Sequence, residues 1–202
     1  MQTGNTRSIF TKLLINNFIA SVTNAFVWFA VTFWVFLETK SILATSLIAG
    51  IFAVSNALTG LFFGAIVDHH KKKLVMIGSS ILSLGAYSLA SALYFTQPTA
   101  TFAIPSSLIL WIFITILMAG TIAGNLRNIA LSTCVTMLFT EEERPKANGH
   151  IGTINGISFA CTSLVSGLVI GYAGMDVALG IAVTITLLSI LHLLPIALTE
   201  KE

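Results

Sequence analysis

The groups in this chain that could make or break bonds are not arranged for catalysis. Cys134 and Cys161 are too few and too poorly placed for a disulfide framework or a metal site. His69 and His70 are adjacent, while His150 and His192 stand far apart, so no pair has zinc-ligand spacing. Ser158, in Gly156-Ile-Ser158-Phe159, lacks the second glycine of a Gly-x-Ser-Gly nucleophile motif. No phosphate-cradling P-loop is present, which excludes ATP hydrolysis by that device. No enzyme activity, metal or cofactor is expected, and no basic patch is large enough for nucleic acid.

What remains is chemistry of binding and conformational contact. Asn17, Ser21, Asn24, Trp28 and Thr32 recur every three or four residues and form one helical stripe. Asn155, Ser158, Thr162 and Ser166 form a second. Gly152, Gly156, Ala160, Ser163, Gly167 and Gly171 form a separate small-residue stripe that would let another helix approach. The polar stripes should face protein or a cavity rather than lipid. Two readings stand: they line a cavity, or they only hydrogen-bond between helices. Asn24, near the centre of its span, needs a partner in either case. Arg127 falls near a membrane boundary, where snorkelling to lipid phosphates accounts for it better than a substrate role.

The elements that position these residues follow from composition. Of the 202 residues 55% are hydrophobic and only 9% are charged, so the chain's solvent must be lipid. A crossing helix needs about 20 apolar residues. Six spans are predicted, over about 13–37, 44–67, 74–95, 105–127, 149–171 and 177–198. The fold class is all-α, a polytopic membrane protein with one six-helix transmembrane bundle. The fourth span is the least clean. It is read as ending near Arg127, with an interfacial stretch through Leu131, Val135 and Leu138 before Glu141–Glu143. Arg7 and Lys12 precede an apolar run too long for a signal peptide, so the first helix is read as uncleaved.

Six crossings put both termini on one side. That side receives Arg7, Lys12, Lys71, Lys72, Lys73, Arg144, Lys146 and Lys201; the other receives only Lys40. The positive-inside rule then places both termini in the cytoplasm of a multi-pass plasma-membrane protein.

The loop after the second span is the most specific feature. Gly60 and Gly64 lie one helical turn apart on one face, where another backbone could come close. Asp68, His69, His70, Lys71, Lys72 and Lys73 follow. The loop resembles the signature of the major facilitator superfamily, with Gly64, Asp68, Lys72 and Lys73 at matching positions, and His69 and Lys71 departing from it. The segment from Glu142 to Gly149 and the run Ile154–Phe159 are similar to efflux-type members. Thr162-Ser163 stands where many drug–proton antiporters carry Gly-Pro.

The resemblance implies one half of a major facilitator fold, the N-terminal six-helix bundle. It implies that Asp68 with Lys72 or Lys73 forms a conformational latch, against neighbouring helix ends or Glu141–Glu143. It assigns the central cavity partly to helices one, four and five. The expected function is secondary transport, by alternating access, of a small-molecule substrate by efflux, with a second six-helix bundle as partner. Because the chain ends at Glu202, it is read either as a truncated transporter or as a half that pairs with another polypeptide. The rival class is a six-helix membrane scaffold without transport.

Overall fold

The computed structural model describes residues 2–198, and side chains from Thr6 onward. Lys201 lies outside the described residues. Among these, every regular element is helical: α1 (Gln2–Thr39), α2 (Ile42–His69), α3 (Lys72–Thr96), one 3-10 turn (Thr99–Thr101), α4 (Leu108–Leu138) and α5 (Arg144–Leu193). Lipid dictates that choice, because a helix pairs its backbone N–H and C=O groups internally. The connections are short. Lys40, at φ 52°, turns α1 into α2. Ser41 then caps α2, its Oγ accepting the Ala44 N–H at 3.1 Å. Ser107 caps α4 in the same way through the Leu110 N–H, at 3.4 Å.

α5 is 50 residues long, which as a straight rod would be about 75 Å against a hydrocarbon core of about 30 Å. It is not straight. Gly174 takes φ 83° and ψ 179°, a region essentially reserved for glycine. Neighbouring asparagines of α1 hold α5 on both sides of that break. Asn16 Nδ2 donates to the Ser189 carbonyl at 2.7 Å, and Asn17 Nδ2 donates to Asn155 Oδ1 at 3.1 Å. A straight helix would separate Asn155 from Ser189 by about 51 Å. α5 therefore doubles back at Gly174, with one arm over 144–173 and the other over 175–193.

The core has two parts. One joins Phe10, Leu13, Val67, Met76, Leu131, Val135 and Leu193 at the end where α1, α3 and α5 begin. That end carries Arg7, Lys12, Lys71, Lys72, Lys73, Arg144 and Lys146. The other part joins Val35, Ile48, Tyr87, Leu110, Met175 and Leu179, and includes Trp34, Phe102 and Phe113 in edge-on or tilted contact at 5.3–5.6 Å. Lys40 is the basic residue at that end. α2 lies outermost: only Ala44, Ile48 and Val67 are buried, while Leu47, Ile51, Val54, Leu58, Leu61 and Phe62 are exposed.

One boundary is corrected. The helix expected to end near Arg127 continues unbroken to Leu138. Arg127 is buried, and Asn125 bonds to α2, so neither requires the helix to leave the apolar layer.

The break in α5 gives the first test. An added Cβ at Gly174 would meet Asp176 Oδ1 at 2.8 Å, on a backbone that L-residues avoid. Gly174→Ala should lower stability by about 1–3 kcal/mol. Gly180→Ala, in open helical surroundings, should be neutral or slightly stabilising. Thermal unfolding of the two purified variants in detergent checks the contrast.

Candidate functional site

The two polar stripes meet each other. Asn17 Nδ2 and Ser21 Oγ both donate to Asn155 Oδ1, at 3.1 and 2.9 Å, tying α1 to the first arm of α5. Further along, Ser158, Thr162 and Ser166 are buried, and each donates to a carbonyl of its own helix: Ile154, Ser158 and Thr162. Ser166 also lies 3.2 Å from the Phe26 carbonyl of α1. Thr32 donates to the Trp28 carbonyl. Within this bundle the stripes thus form a hydrogen-bonded seam.

Asn24 leaves the seam for the bundle interior. Its Nδ2 donates to the Thr121 carbonyl of α4 at 3.1 Å, and its Oδ1 accepts the Tyr87 hydroxyl of α3 at 3.1 Å. One amide therefore joins three helices. Gly124 makes room for it, since an added Cβ there would overlap the Asn24 amide. Gly120, one turn earlier, holds the Tyr87 ring, 2.7 Å from where its Cβ would stand. The Gly120–Gly124 spacing is a small-residue motif present in the sequence.

The glycines singled out by sequence are placed differently. Gly60, Gly64, Gly152 and Gly156 have nothing within 4 Å of an added Cβ, so no helix of this chain packs on them. Gly167 faces the Phe33 ring of α1 at 3.5 Å.

The charged loop is open. Asp68 is exposed and, among the described residues, makes no side-chain hydrogen bond or ion pair. Lys72 Nζ donates to the His70 carbonyl at 3.1 Å, and Lys73 Nζ to the Leu194 carbonyl at 2.8 Å, just past the C-terminal end of α5. A cation suits that carbonyl-rich end. Glu143 meets Arg7 at 3.6 Å, and Glu141 meets Arg144 at 3.8 Å.

A surface that the sequence did not reveal lies across α1, α2 and α4. Trp28 stacks on Phe52 with centroids 4.1 Å apart. One turn along α2, exposed Asn56 accepts Asn125 Nδ2 at 2.8 Å. An aromatic pair beside an amide pair offers a flat apolar face with donors and acceptors at its edge. Such a face suits a molecule with both characters. The available signal was Asn56 itself, a lone amide in an otherwise apolar span, which needs a partner as Asn24 does.

Arg127 does not snorkel. It is 2% exposed, and its Nη1 donates to Ser80 Oγ of α3 at 2.7 Å.

Residues 13–202 match the Major Facilitator Superfamily. The chain is similar to macrolide efflux protein A of Streptococcus pyogenes and to the protein of that name in its serotype M6. Identity is 23% over 150 residues with each, covering 74% of this chain and 35% of theirs. The chain thus spans about a third of the length of these curated relatives. No solved structure matches it significantly.

Asn24 generates the second test. Gly124→Ala should displace the amide from Thr121 and Tyr87, costing about 1–3 kcal/mol. Tyr87→Phe, which removes one hydrogen bond and keeps the ring, should cost about 1 kcal/mol. Gly152→Ala should be near neutral. Chemical or thermal unfolding of the three variants gives the ranking.

Proposed function

Because the chain belongs to the major facilitator superfamily, we propose that it is one six-helix bundle of a secondary transporter that exports small molecules across the plasma membrane. The family match over residues 13–202 carries this reading. The reversal of α5 at Gly174, which divides it into two arms, supports counting six crossings. The clustering of basic residues at one end supports placing both termini in the cytoplasm.

Transport requires a second bundle of comparable size, from another polypeptide, another copy or a longer form of this chain. The outer faces support that. α2 leaves most of its apolar side chains exposed, and among the described residues Gly60, Gly64, Gly152 and Gly156 meet no neighbour. Asp68 is exposed and, among the described residues, makes no bond, which leaves room for a helix end of the second bundle to complete the latch with Lys72 and Lys73. Substrate lies between the bundles, which rock about it in alternating access. On this side Trp28, Phe52, Asn56 and Asn125 meet it, and Asn17, Ser21, Asn155, Ser158 and Thr162 set the wall behind them. The similar streptococcal proteins are macrolide exporters by name. A surface of stacked rings beside amides suits an amphipathic compound of that kind.

Two measurements test the reading. A cysteine at Gln97 should react with an impermeant thiol reagent in intact cells, whereas one at His70 should react only after permeabilisation; the reverse pattern would invert the topology. Efflux should be measured in cells expressing the chain with and without a second bundle. We expect flux only with both bundles, reduced about tenfold or more by Trp28→Ala. Asp68→Asn should cut flux while leaving membrane abundance nearly unchanged, because a water-screened pair contributes less than about 1 kcal/mol to folding. Full flux from a strictly monomeric chain would overturn the proposal.

A further inference from the structure

Between the two parts of the core, α1, α3, α4 and the second arm of α5 line a small cavity of about 20 Å³. Asn24, Ser79, Ser83, Arg127 and Ser189 are on its wall. Arg127 uses only Nη1, toward Ser80. Its Nε and Nη2 are buried and reach no acceptor. Those two N–H groups share one edge of the guanidinium plane and point the same way, the fork by which arginine clamps an anion. Ser189 Oγ is likewise buried without a partner. The other hydroxyls are engaged: Ser79 donates to the Ala123 carbonyl and Ser83 to the Gly120 carbonyl.

The charge is as unmet as the hydrogen bonds. Among the described residues, Glu38 and Asp68 lie at helix ends, Glu141, Glu142 and Glu143 outside the helices, and Asp176 beside the break at Gly174. Along α4 the nearest, Glu141, is 14 residues away, about 21 Å at helical rise. Arg127 is 2% exposed, among helices of its own bundle. A desolvated guanidinium without a counter-charge is strongly unfavourable in an apolar layer. The cavity has room for about one water-sized occupant. Water would satisfy the hydrogen bonds and leave the charge uncompensated.

We infer that this chamber binds one small monovalent anion of chloride size, held by the Nε–H and Nη2–H fork of Arg127 and by the Ser189 hydroxyl. Sulfate, phosphate and organic carboxylates are too large for it. The inference stands apart from the transport reading, because it needs neither substrate nor a second bundle.

The test uses the full chain, purified in detergent in sodium gluconate. Sodium chloride, bromide or sulfate is titrated against it at constant ionic strength. Chloride and bromide should raise the melting temperature saturably, by about 4 °C or more at saturation, and sulfate should not. Ser189→Ala should shift the halide midpoint several-fold upward, and Arg127→Gln should remove the response. Bromide retained after desalting, read by X-ray fluorescence, should approach one per chain. If Arg127→Gln fails to fold, the salt comparison and Ser189→Ala still decide. Equal melting in all four salts with no retained bromide would mean that the chamber holds only water. A halide response untouched by Ser189→Ala and Arg127→Gln would place the anion elsewhere. Either outcome overturns the inference.

Discussion

An amide left without a partner in hydrocarbon is destabilising by several kcal/mol, and α1 carries three asparagines in its middle third. Each finds its partner on a different piece of the bundle. Asn16 reaches the second arm of α5, Asn17 the first arm, and Asn24 both α3 and α4. Apolar surfaces bring no hydrophobic drive to helix association in lipid, so such contacts and close van der Waals packing decide which helices adjoin. α1 is therefore the reference against which the other helices are set. Gly124 belongs to the same device, because without its missing side chain Asn24 could not reach its two partners.

Much of the helical layout was legible in the sequence, since charge is confined to helix ends and loops. The starts and stops of α2 and α3 fall within about two residues of the expected spans. α4 was misread for an instructive reason. Asn125, Arg127 and Asn128 look like a membrane surface when only polarity is considered. Asn125 and Arg127 are instead polar groups that neighbouring helices receive, and burial in protein is indistinguishable from exposure to water in a hydropathy profile. The same ambiguity covers the turn at Gly174. Sequence placed a loop between the fifth and sixth spans, while the chain reverses there at a single non-helical glycine.

The candidate site was legible in part. The periodicity of Asn17, Ser21 and Asn155 showed that these residues share faces, but periodicity does not say which face meets which. The structure pairs the two stripes. Phe52 was not legible, because α2 gives no polar stripe to read, and Asn56 stood there as a lone amide with no sign of which helix it meets. Gly120 and Gly124 were legible in principle. They were passed over for Gly152 and Gly156, whose pattern is the same and whose surroundings are empty.

The three hydroxyls that follow one another along the first arm of α5 have a mechanical consequence. Ser158, Thr162 and Ser166 each donate a hydrogen bond to a carbonyl of the preceding turn of their own helix, and of the three only Ser166 also touches a polar group of α1. When α1 slides or rolls over them, no polar group is stranded in between. Resistance to that motion is concentrated at two points: the Asn155 contact with Asn17 and Ser21, and the Ser166 contact with the Phe26 carbonyl. The seam is pinned at two places and smooth between them. It bends and shears as a hinged plate does, and does not yield evenly along its length.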